Sequence, residues 1–194
     1  DNFNKAISEM PEALSDEQRS DWLKQGIAIA AQTVRSWEAA AHFFQVSPKV
    51  IASMPYSYFV RWMECGSSLC EESPTLASAY FEASPEAMSK LRSRHIESWA
   101  SLGDSLYKGT WKSSTLACKF FQASPELLEN LSFSEMERFA AFLDALSHRS
   151  YDLSAECLTL GQDILLHSDL HTRSWAQVLI LVGIYFFLRN KFII

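Results

Sequence analysis

His167, Asp169 and His171 form the one grouping in this 194-residue chain with the chemistry of a metal site. On a helix, two imidazoles four residues apart share a face, and here a carboxylate lies between them. A zinc site takes three or four ligands, so this cluster would need a convergent polar pocket where the last repeats meet. The plainer reading is a polar segment, 166–172, that caps the last helix, and on that reading no metal ligand is assigned. His42 precedes the first pair of aromatics, His95 precedes a long helix and His148 ends one; each stands alone. No serine or cysteine has an evident base and orienter beside it. The phosphate-cradling, dinucleotide and zinc-protease signatures are missing, and so is the serine-nucleophile elbow. The expectation is a non-enzyme with no catalytic residue, cofactor or metal.

Trp37 and Trp111 could do work of another kind. Both lie just upstream of a pair of aromatics. Tryptophan is enriched at the energetic centres of protein interfaces, so these two are the candidate partner-binding residues.

The elements that would position them come from an internal repeat. Phe43-Phe44-Gln45-Val46-Ser47-Pro48 returns as Tyr80-Phe81-Glu82-Ala83-Ser84-Pro85 and as Phe120-Phe121-Gln122-Ala123-Ser124-Pro125, at intervals of roughly 40 residues, the range of helical repeats. An aromatic follows each proline at one fixed interval: Trp62, Trp99 and Phe139. Trp22 and Trp175 extend the register to both sides. Gly26, Gly66 and Gly103 stand four residues after the tryptophans, with an aliphatic residue three further on. That i, i+4, i+7 spacing puts the set on one helical face. A glycine inside a helix costs about 1 kcal/mol against alanine, so its return predicts a close approach by a neighbouring helix.

A period of this length predicts an all-α, right-handed helical-repeat solenoid of the armadillo or tetratricopeptide kind, with about four to five units. The whole chain reads as one domain, with units at 12–33 (partial), 34–72, 73–109, 110–150 and 151–194 (degenerate). Serine is a good N-cap and proline suits the first helical position, so each Ser-Pro pair is expected to end one helix and start a short one. One unit would then hold three helices, for example 73–83, 84–91 and 94–108. Ser73-Pro74 starts a helix in the same way. Ser15 with Gln18, and Ser134 with Glu137, have capping-box spacing.

Composition narrows the function. With 48% hydrophobic and 13% aromatic residues the chain can bury a substantial core. A net charge of −6 argues against a nucleic-acid surface; Lys90, Arg92, Arg94 and His95 are the one dense basic patch. Four cysteines are too few for a disulfide framework in a chain this size, and 1–10 shows no signal-peptide pattern. Cytoplasmic location is the expectation. Val178 to Leu188 is uninterrupted apolar sequence, shorter than the roughly 20 residues a span needs. It suits a helix covered by a further repeat, an association surface, or an anchor within 175–194; the last makes a membrane-associated helical protein the alternative reading.

Three segments also carry a family resemblance. They are Ser36 to Pro48, with its Trp37-Glu38-Ala39-Ala40-Ala41-His42 run, Phe120 to Leu131, and Glu97-Ser98-Trp99-Ala100-Ser101-Leu102-Gly103. Over residues 12–150 the chain resembles the helical repeats of large bacterial proteins that end in a von Willebrand factor A domain, similar to the nitric-oxide-reductase activation protein family. The resemblance implies a protein partner, either a MoxR-type AAA+ ATPase or its client, in metalloenzyme maturation. The metal-dependent adhesion motif of that family, Asp-x-Ser-x-Ser, does not occur here, so no site residue carries over. The resemblance implies that this chain is the repeat region alone.

Overall fold

The computed structural model describes residues 14–110 and 114–167, with side chains to 162. Within them lie eight α-helices and no strand: α1 (Asp16–Gln32), α2 (Trp37–Ala52), α3 (Tyr56–Glu72), α4 (Pro74–Lys90), α5 (Ile96–Gly109), α6 (Ser114–Asn130), α7 (Phe133–Ser147) and α8 (Tyr151–His167). A short 3-10 turn, Ser93–His95, leads into α5.

The start signals are local. Ser15 accepts from the Gln18 amide at 3.2 Å while Gln18 Oε1 accepts from the Ser15 amide at 3.0 Å, closing a capping box on α1. Ser73 caps α4 ahead of Pro74. The box on α7 differs from the expected one. Ser132 and Glu135 form it, two residues before Ser134 and Glu137, because the helix begins one residue after Ser132.

The three-helix unit does not occur. Pro48, Pro85 and Pro125 lie inside α2, α4 and α6, and each helix continues through its proline. An interior proline removes one helical hydrogen bond and costs about 3 kcal/mol. Burial offsets that cost. Residues beyond the proline are buried: Val50 and Ile51, Ala87 and Met88, and Leu127. The serine before it satisfies its buried hydroxyl on its own helix, Ser84 Oγ donating to the Tyr80 carbonyl at 2.6 Å and Ser124 Oγ to the Phe120 carbonyl at 2.7 Å. Ser47 Oγ donates likewise to the Phe43 carbonyl.

The unit is therefore a helical hairpin: α1 with α2, α3 with α4, α5 with α6, α7 with α8. Each helix also packs on its counterpart in the next hairpin, so α1, α3, α5 and α7 form one row and α2, α4, α6 and α8 another. The unit bounds read from sequence frame these same helices half a period out of step. Polar contacts between hairpins run at one period. Arg61 Nη1 lies 2.8 Å from Glu97 Oε1, Tyr107 donates to the Glu72 carbonyl at 3.1 Å, and Gln162 donates to Glu126 Oε2 at 3.1 Å.

The core is a line of aromatics in repeating geometry. Trp22, Trp62 and Trp99 are buried, each edge-on to the second aromatic of its own hairpin: Phe44 at 5.2 Å, Phe81 at 5.2 Å and Phe121 at 5.1 Å between ring centroids. The first aromatic of each pair reaches forward. Phe43 lies 5.6 Å from Trp62 and 5.5 Å from Phe81; Tyr80 lies 4.9 Å from Trp99 and 5.5 Å from Phe121. One ring thus closes a hairpin and the other joins it to the next. Such pairs contribute about 0.5–1.5 kcal/mol each beyond their buried area.

The glycines are notches for these rings. A Cβ at Gly26, Gly66 or Gly103 would overlap the tip of the phenyl ring of Phe44, Phe81 or Phe121. In the last hairpin the notch is reversed. Phe139 is buried, and the crowded glycine is Gly161 on the opposite helix, where a Cβ would come within 2.9 Å of the Phe139 ring. Leu143 and Leu158 stand there in place of the glycine and the phenylalanine, both buried.

Candidate interaction surface

Trp37 opens α2 and is 67% exposed. Its register positions in the other hairpins hold Pro74, Ser114 and Tyr151, the first residues of their helices. The repeat therefore has no packing requirement for a tryptophan there. Val34, 94% exposed, and Ile27, 61% exposed, lie on the same hairpin. No other large hydrophobic side chain among the described residues is so open. Trp22, Trp62, Trp99 and Phe139 are core, as described above. Trp111, Trp175 and the segment 175–194 lie outside the described residues, as do Asp169, His171 and the side chain of His167.

Among the described residues no group of three His, Cys, Asp or Glu side chains could hold a metal ion. His148 closes α7, with its Nε2 3.8 Å from Asp144 Oδ1. No described helix is long and apolar enough to cross a membrane. The thiols are free. Burial pushes Cys65 and Cys118 up to about 11 and Cys157 up to about 12, so none is a thiolate nucleophile near neutrality.

The basic patch acquires a second wall in three dimensions. The turn between α4 and α5, carrying Arg92, Arg94 and His95, faces the end of α6 and the start of α7 across a cleft of about 400 Å³. Leu128, Phe133 and Glu137 line the far side. The His95 ring stacks on Phe133 with centroids 4.3 Å apart, and its Nε2 accepts from Arg94 Nε at 3.2 Å. That geometry requires the neutral imidazole with its proton on Nδ1. Burial lowers the His95 pKa, and Arg94 and Arg92 act in the same direction against Glu137. Lys90 sits at the rim, held by Glu129 at 3.0 Å and by the Pro125 carbonyl at 3.1 Å.

The sequence shows the cationic half of this cleft and not the apolar half. Leu128 and Phe133 lie about one repeat downstream of Arg92 and Arg94, and only the stacking of α4 on α6 and of α5 on α7 brings them across. A smaller groove of about 160 Å³ runs between α3 and α5 past Cys65, Glu72, Glu97 and Asp104. No family model, no curated protein and no solved structure matches the chain.

Proposed function

We propose that this chain is a non-catalytic protein-interaction scaffold, a right-handed helical-repeat superhelix working in the cytoplasm. The observation that carries the reading is the exposed Trp37 on a hairpin whose own core is complete without it. Stacked hairpins present an extended surface whose shape is set by the rows of helices, and affinity in such a system comes from a few anchors. Trp37, with Val34 and Ile27 on the same hairpin, supplies one anchor. The partner is an AAA+ ATPase of the MoxR type or its client, a choice that rests on the family resemblance of residues 12–150.

The test is co-purification of the full chain with that ATPase from cells that express both. Wild-type chain should retain the ATPase or its client, and Trp37→Ala should lose most of it while melting at the same temperature. Equal retention by the variant would remove Trp37 from the interface. Failure of the wild-type chain to retain either protein would remove the partner.

A further inference from the structure

We propose that the cleft between the α4–α5 turn and the start of α7 receives an acidic peptide segment of a protein partner, with Arg92 and Arg94 pairing its carboxylates. The proposal rests on the scaffold reading and names a second contact on it. Its volume of about 400 Å³ is that of a small-ligand pocket. Its lining sets Arg92 and Arg94 against one carboxylate, Glu137, while Lys90 at the rim is already paired with Glu129 and Glu86, so the open charge of the cleft is that of the two arginines. Arg92 is exposed and makes no ion pair with a described residue. Arg94 uses its Nε on His95, which leaves the terminal guanidinium nitrogens to meet a carboxylate. Phe133 and Leu128, both half-buried, leave apolar surface between the charges for a hydrophobic side chain of the same segment.

The arginines are not required by the repeat. One period on, positions 132, 134 and 135 carry Ser132, Ser134 and Glu135, with the same alternation of exposed and half-buried side chains. The hairpin therefore folds with neutral and acidic residues at the places of Arg92, Arg94 and His95. Two arginines with open terminal guanidinium nitrogens are too few for a phosphate backbone, which needs a longer run of cations, and they suit a short carboxylate-bearing segment.

The probe is a fluorescein-labelled peptide of alternating Asp and Leu, titrated into the full chain at low salt and read by anisotropy, with its Lys–Leu counterpart as control. Saturable binding of the acidic peptide alone is expected, weakened about tenfold or more by R92E/R94E, as befits loss of two charge-assisted pairs. If the charge reversal unfolds the chain by circular dichroism, R92Q/R94Q takes its place. No binding of the acidic peptide, equal binding of the basic one, or unchanged affinity in a folded variant would each overturn the proposal. Retention of the cellular partner by R92Q/R94Q at the wild-type yield would also overturn it while leaving the scaffold reading intact. Loss of the partner by Trp37→Ala with the peptide still bound would locate the two contacts separately.

Discussion

A notch only works if its ring cannot move away. Phe81 and Phe121 are fully buried, and Phe81 touches Phe43, Trp62 and Tyr80 at centroid distances of 5.5, 5.2 and 5.5 Å. Gly66→Ala and Gly103→Ala should therefore destabilise by about 1–3 kcal/mol through overpacking, although alanine favours the helix by about 1 kcal/mol. Urea melts read this directly, and a stabilised Gly103→Ala would contradict the notch. The last hairpin suggests the compensation. Installing its leucine pair as Gly103→Leu with Phe121→Leu should cost less than the sum of the single changes, a coupling of about 0.5–3 kcal/mol in a double-mutant cycle. The recurrence of glycine four residues after tryptophan made a close approach legible in the sequence. That the approaching group is a phenyl ring was not legible, because the ring belongs to the following helix and spacing along one helix carries no information about its neighbour.

At the scale of the helix, Ser-Pro is a joint between layers and not a boundary. Trp62 Nε1 donates to Ser84 Oγ at 2.8 Å and Trp99 Nε1 to Ser124 Oγ at 3.0 Å, while each serine donates onward to its own helix. Trp22 Nε1 has no such partner. Ser84→Ala and Ser124→Ala each strand a buried indole N–H and should cost about 1–3 kcal/mol. Ser47→Ala strands none and should cost less, measured by the same melts; equal costs at all three serines would mean the indole bond contributes nothing. In the last hairpin Phe139 and Gly161 replace the tryptophan and serine together, so donor and acceptor are absent as a pair. Sequence rules read Ser-Pro as a helix start because both residues favour that place. The rule fails here because burial on both sides of the proline outweighs the local preference. Where nothing opposed it, at Ser73-Pro74, the same rule holds.

Over the whole molecule, alkaline pH acts through buried acids, the thiols first and with them the Tyr80 and Tyr56 hydroxyls, whose pKa values burial also raises. Cys65, Cys118 and Cys157 are raised from 9.0 to about 11, 11 and 12 because burial disfavours the thiolate. Well below pH 9 all are neutral folded or unfolded, so this contribution to stability is fully present. Above it the unfolded chain ionises first, and stability falls as pH rises from 9 toward 12. A denaturation midpoint that is flat across that range would refute the assignment. Below pH 8 the three thiols should react with iodoacetamide far more slowly than in urea. The surface ion pairs should matter little: Arg61 and Glu97 are more than half exposed, and such pairs contribute about 0–1 kcal/mol. Trp37→Ala should change stability by no more than about 0.5 kcal/mol, since the side chain is 67% exposed, and its effect should appear only in partner binding. The repeat and its all-helical character were legible in the sequence because the register recurs. The cleft at Arg92 and Arg94 was half legible, since its apolar wall belongs to the next hairpin.

Equivalent hairpins stack one on the next, which puts them in a row. Gln45, Glu82, Gln122 and Thr159 are equivalent, exposed positions on α2, α4, α6 and α8. Packed helices lie about 8–10 Å apart, so spin labels at these sites should give electron–electron distances that grow by about one such step per hairpin. The pair at Gln45 and Thr159 should then be the longest, separated by about three such steps. A Gln45–Thr159 distance no greater than that of neighbouring hairpins would show a closed globule and contradict the account.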